Sequence, residues 1–116
     1  MATATQAELG GPGGSSNPEE LFSAALANCF TSTLTGIARA RGIQLGEIDT
    51  TVSTKLSWGD GSTHHLSSSD LRTRVESPEP EGTVRALIDE ATEHCPVCQA
   101  IAGRVKLRVS AVVVPT

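Results

Sequence analysis

The sequence predicts an α+β fold in a single domain spanning residues 1–116, with two central helices packed on an antiparallel β-sheet. Three observations carry that prediction. Residues 17–42 and 83–103 place apolar side chains at three- and four-residue intervals. Residues 46–58 and 105–113 alternate apolar or β-branched with polar residues. The resulting order is helix, hairpin, helix, strand, which puts helices on a sheet. Phe22, Phe30 and Trp58 are the three aromatics, so the core must be built from Val, Leu, Ile and Ala.

Residues 1–16 are small and glycine-rich. The "GGPGG" run at 10–14 reads as a loop, with at most a partial strand within Thr3–Leu9. The first helix follows. Asn17 is an N-cap, Pro18 suits the first helical position and Glu20 completes a capping box. Glu19 and Glu20 favour the positive end of the helix, Arg39 and Arg41 the negative end, and Gly42 suits its C-terminus. The apolar stripe runs Phe22, Leu26, Cys29, Thr33, Ile37, flanked by Ala25, Phe30 and Leu34, which puts Cys29 mid-helix on the buried face.

In the next segment Ile48, Thr50, Val52, Thr54, Leu56 and Trp58 share one face of a half-buried strand. "GDGS" at 59–62 turns the chain into a second strand within Leu66–Val75, and "SPEPEG" at 77–82 ends it. A second helix begins near Thr83 with the stripe Val84, Leu87, Ile88, Ala91, Cys95, Cys98, Ala102. Pro96 predicts a kink or break at Cys95, because it removes one backbone hydrogen bond and clashes one turn back. Gly103 ends the helix. A last strand presents Val105, Leu107, Val109, Ala111 and Val113 on one face.

A net charge of −4 argues against nucleic acid and against an anionic membrane surface. The sequence reads as lacking both a membrane-crossing apolar run and an export signal, which predicts a cytoplasmic protein. Three cysteines are too few for a secreted disulfide scaffold, so redox chemistry, metal binding and plain packing remain.

Cys29 on one stripe and Cys95 with Cys98 on the other can meet in one core. Packing is a sufficient account of Cys29 by itself. "HCPVC" is less easily explained as filler. If a helix restarts at Pro96, Cys95 becomes its N-cap and faces free amide donors, so local logic nominates Cys95 as the reactive thiol. A thioredoxin-like CxxC is disfavoured because a helical pattern precedes it. His94, Cys95, Cys98 and Cys29 also make a Cys3His zinc composition, although adjacent His94 and Cys95 cannot both point inward on a regular helix. His64 and His65 receive no role.

"NPEELFSAALANCFTSTL", followed some way on by "EHCPVCQAIAGRVKLRVSAVVV", resembles the OsmC/Ohr family of thiol-dependent peroxidases. The resemblance implies an intertwined homodimer that reduces organic hydroperoxides, is recycled by a dithiol, and needs no metal or flavin cofactor. It implies that Cys29 is the peroxidatic cysteine, that Cys95 resolves it as a disulfide, and that Glu19 holds a catalytic arginine. On this point it overrides the N-cap argument for Cys95. The sequence departs from the pattern at Cys98, where the family usually has Ser. It also departs in having no arginine before Arg39, whereas the family's catalytic arginine comes from an N-terminal hairpin. Arg39, Arg41, Arg85 and Arg104 read as solvated charges. The expectations are therefore a peroxidase using another cation, a short form or fragment of one, or a catalytically impaired small-molecule-binding dimer.

Overall fold

The computed structural model describes residues 17–58 and 64–116. The expected N-terminal loop and partial strand and the turn at 59–62 lie outside the described residues, as does the side chain of Trp58. The elements are α1 (Pro18–Arg41), β1 (Ile48–Trp58), β2 (His64–Ser77), α2 (Glu81–His94), α3 (Pro96–Ile101) and β3 (Lys106–Pro115).

Local chemistry sets the helix ends. The Asn17 side chain accepts from the Glu20 amide at 2.9 Å and donates to the Glu20 carboxylate at 3.1 Å, a reciprocal cap. Gly42 closes α1 at φ 68°, a left-handed conformation that glycine adopts without a Cβ clash. Pro96 breaks the second helical segment as expected. Cys95, forced out of the helical region by the following proline, is extended at φ −65°, ψ 118°, and serves as C-cap of α2 and N-cap of α3. The Gln99 side-chain amide donates to the Glu93 carbonyl, one of the carbonyls that α2 leaves open at its end.

The α+β class is borne out, but the sheet is mixed. β2 is central, antiparallel to β1 and parallel to β3. This corrects the wholly antiparallel sheet expected from sequence. The physical reason lies in the connection. β2 returns to β3 through α2 and α3, and a crossover of that length brings the chain back to start at the same end of the sheet.

The helices lie on one sheet face. There Val52, Leu71 and Val109 stand side by side, as do Ile48, Val75 and Val113. The core is Leu26, Phe30, Leu34 and Ala38 of α1 against Leu71 and Val75 of β2 and Val84, Leu87, Ile88 and Ala91 of α2. The deepest line of α1 is thus Leu26–Phe30–Leu34–Ala38 rather than the stripe through Cys29. Cys29, Thr33 and Ile37 are half-buried at its edge, and Ala25 is exposed. Hydroxyls fill the remaining inward positions in two chains. Ser23 donates to Thr54 at 2.7 Å, and Thr54 pairs with the fully buried Ser69 at 2.9 Å. Thr31 donates to Thr50 at 2.9 Å, and Thr50 pairs with Thr73 at 3.0 Å. Both chains tie α1 to β1 and β2.

α1 is 24 residues long, with a mean hydropathy of 1.3 over its most apolar window, so by length and composition it could cross a membrane. That corrects the expectation that no such run exists. Its Ala, Gly, Ser and Thr content keeps the window free of charge, while its large side chains pack on the sheet.

Candidate active site

Three thiols converge where α1 passes the joint between α2 and α3. Cys29 reaches the joint from α1, Cys95 occupies it, and Cys98 lies one turn into α3. Cys95 is 0% exposed and Cys98 5%, and all three are free. The Cys29 thiol lies near the Cys95 thiol and the Val97 backbone N–H, and both bear on its proton. Cys98 in turn lies near enough to Cys95 for that thiol to bear on its proton. Cys95 is therefore the central sulfur of the three.

The Val97 contact bears on the choice between Cys29 and Cys95. Cys95 does become the N-cap of α3, but its side chain makes no capping hydrogen bond. The free amide of the new helix faces Cys29 instead. The sequence reading offered the free amides of a helix restarting at Pro96 to Cys95; local spacing shows where an amide is free but not which neighbour it meets.

The thiol at Cys29 is nevertheless pushed above its ordinary value. Burial is the main cause, and the Cys95 thiol adds to it. The Val97 N–H and the Thr33 hydroxyl, which also donates to the Cys29 carbonyl at 2.8 Å, pull in the other direction. Cys98 is pushed up to about 12, chiefly by burial and then by Cys95 and Cys29. No cation among the described residues contributes to either shift. Arg41 pairs with Glu90, and Arg85 with Glu81 at 3.4 Å and the Ala111 carbonyl at 3.3 Å. Arg39 and Arg104 are exposed, in keeping with their reading as solvated charges.

The zinc arrangement does not form. His94 is exposed while Cys95 is fully buried, and among the described residues no group of three or more His, Cys, Asp or Glu is placed to hold a metal ion.

The OsmC-like protein family model matches residues 11–110, which takes in all three cysteines and nearly the whole chain. The chain belongs to the OsmC-like family. An organic hydroperoxide resistance protein OsmC from Legionella pneumophila is 33% identical. The superposition covers 95% of this chain and 79% of that one, with a TM-score of 0.85. An organic hydroperoxide resistance protein from Elizabethkingia anophelis is 25% identical, covering 97% and 78% with a TM-score of 0.78. A curated organic hydroperoxide resistance protein-like 2 from Staphylococcus epidermidis is 26% identical over 109 residues, 93% of this chain and 76% of the relative.

Within this OsmC-like chain Glu19 stands apart from the thiols. It lines a cleft of about 520 Å³ between the first turns of α1 and β1, with Asn17, Glu20, Ser23 and Thr54. Cys29 is not among the cleft's lining residues, and ten residues of helix separate the two, a rise of about 15 Å. The fold thus brings Cys29 and Cys95 together and leaves Glu19 at the far end of α1.

Proposed function

We propose that the protein is a thiol-dependent peroxidase that reduces organic hydroperoxides, with Cys29 as the attacking thiol and Cys95 as the resolving one. The single observation that carries this reading is that the free thiol of Cys29 packs against the buried cluster holding the free thiol of Cys95, close enough for Cys95 to bear on its proton. The likeness to organic hydroperoxide resistance proteins supports the substrate class.

The chemistry balances without a cofactor. The Cys29 thiolate attacks the outer peroxide oxygen, and the O–O bond breaks. The alkoxide takes a proton and leaves as alcohol, and Cys29 becomes a sulfenic acid. Cys95 condenses with it, forming the Cys29–Cys95 disulfide and releasing water. An external dithiol reduces that disulfide and leaves as its own disulfide. Burial around Cys29 shields the sulfenic acid and favours apolar peroxides.

The working unit is a homodimer, in which a second copy completes the site near Cys29 and brings Glu19 to it. Supporting this, the radius of gyration is 16.2 Å, against about 13 Å for a compact chain of this length. Among the described residues β1 and β3 are also the edges of the three-stranded sheet.

The test is an anaerobic thiol count before and after one equivalent of cumene hydroperoxide. Wild type should lose two thiols. Cys29→Ser should lose none and show no dithiol-driven turnover. Cys95→Ser should complete one round and stall. Normal turnover in Cys29→Ser would end the proposal. The absence of a described cation at Cys29 favours a second reading, a catalytically impaired small-molecule-binding dimer. Oxidation of Cys29 no faster than a free thiol at the same pH would decide for it.

A further inference from the structure

We propose that Cys98 completes a thiol relay: it takes over the Cys29–Cys95 disulfide by exchange, forming Cys95–Cys98 and freeing Cys29, and the dithiol reductant then acts through the cavity that opens onto Cys98. This rests on the peroxidase reading above.

The geometry is that of three neighbouring sulfurs, of which Cys98 borders a cavity that the other two do not line. Cys98 is 5% exposed, yet it lines a cavity of about 340 Å³ between α3 and the start of β3, walled by Thr92, Gln99, Ile101, Val105 and Leu107. Neither Cys29 nor Cys95 lines that cavity. A reductant entering from the α3–β3 side therefore meets Cys98 first.

Cys95 and Cys98 are suited to bond. Cys95 is the N-cap of α3 and Cys98 the third residue of the helix. One helical turn separates their Cα atoms by about 5 Å, inside the range a disulfide spans. Pro96 holds Cys95 extended, so its sulfur is not committed to the helical direction and contacts both neighbours.

The exchange needs no further oxidant. The Cys98 thiol loses its proton to water and its thiolate attacks the Cys95 sulfur. The Cys29–Cys95 bond breaks, and Cys29 leaves as a thiolate that recovers a proton. One thiolate of the dithiol then attacks Cys98 and expels Cys95. The second closes on the mixed disulfide, releases Cys98 and leaves the reductant oxidised. Oxidation of the pair also favours the step. After burial, the influences that hold the Cys98 proton are the Cys95 and Cys29 thiols, and a disulfide removes both. The result is separation of labour: Cys29 is ready for another peroxide while the oxidising equivalent waits beside the reductant's cavity.

Tryptic mapping reads each state. Cleavage after Arg39, Arg85 and Arg104 leaves Cys29 in peptide 1–39 and both other cysteines in 86–104. Anaerobic protein is given one equivalent of cumene hydroperoxide, then acid-quenched at intervals, alkylated, digested and weighed. The joined pair 1–39/86–104, bridged through Cys95, should appear first. It should give way to 86–104 lighter by two hydrogens, with Cys29 alkylated. In Cys98→Ser and Cys98→Ala the joined pair should persist, and dithiol-driven turnover should fall roughly tenfold. Ala102→Trp, at the cavity, should slow the dithiol step at least about threefold. A joined pair that is the end state in wild type, or that bridges through Cys98 from the outset, would overturn the relay. So would wild-type turnover in both Cys98 variants. Diamide, which oxidises dithiols without peroxide, separates the two proposals. A Cys95–Cys98 loop under diamide with no reaction under hydroperoxide would sink the peroxidase reading, and with it the relay that it feeds. No loop under either oxidant, with the joined pair formed under hydroperoxide, would overturn the relay and leave the peroxidase reading standing.

Discussion

The backbone N–H of Val97 lies close enough to the thiol of Cys29, across the gap between α3 and α1, to ease the loss of its proton. The amide is available because Pro96 starts a new helix there, whose first N–H groups have no partner one turn back. It reaches Cys29 rather than Cys95 because α1 runs past the break. It lowers the cost of a thiolate at Cys29, but burial and the Cys95 thiol outweigh it.

Cys29 oxidation should therefore climb with pH. Its proton is held above the ordinary value of 9.0, so the thiolate is scarce at neutral pH. The second-order rate with cumene hydroperoxide should rise about tenfold per pH unit from roughly pH 7 to 9 without levelling. Stopped-flow measurement checks this. A plateau below about pH 8 would mean that a cation from another copy reaches the sulfur.

Cys98 makes the fold sensitive to alkali. Its thiol is raised from 9.0 to about 12, so the unfolded chain releases this proton first as pH rises. Stability contributed by the protonated thiol is fully present below pH 9 and is lost on the way to about pH 12. The slope is about 1.4 kcal/mol per pH unit for one proton. Urea melts at intervals from pH 8.5 to 10.5 should decline less steeply in Cys98→Ala than in wild type. Parallel declines would contradict the assignment.

Thr54 is the middle of a hydroxyl chain. Thr54→Val keeps the shape and leaves Ser69, which is fully buried, without its partner. The expected loss is about 1–3 kcal/mol by chemical denaturation. Adding Ser69→Ala should cost less than the sum of the two single changes, since no orphaned hydroxyl is then left in the sheet. Strict additivity would show the pair to be uncoupled.

Pro96 matters through geometry. Pro96→Ala permits α2 and α3 to join, turning the Val97 amide into the helix and Cys95 away from its extended conformation. Disulfide formation between Cys29 and Cys95 after one equivalent of hydroperoxide should slow roughly tenfold. Thermal stability should hold or rise, because a joined helix regains the backbone hydrogen bond that Pro96 cannot make. Unchanged disulfide kinetics would show that the break does not position these sulfurs.

The sequence by itself determined the elements and their ends. Asn17 and Glu20 cap α1, Gly42 stops it, alternation marks β1 and β3, and Pro96 divides the second helical run. These are legible because caps, prolines and periodicity act within a few residues through local dihedrals and hydrogen bonds. The tertiary structure decided what depends on how elements cross. It made β3 parallel to β2, turned Leu26–Phe30–Leu34–Ala38 inward with Cys29 at the margin, and set Glu19 apart from the thiols. It also gave the Val97 amide to Cys29. Helical spacing fixes which residues share a face, but the packing of neighbouring elements fixes what that face meets.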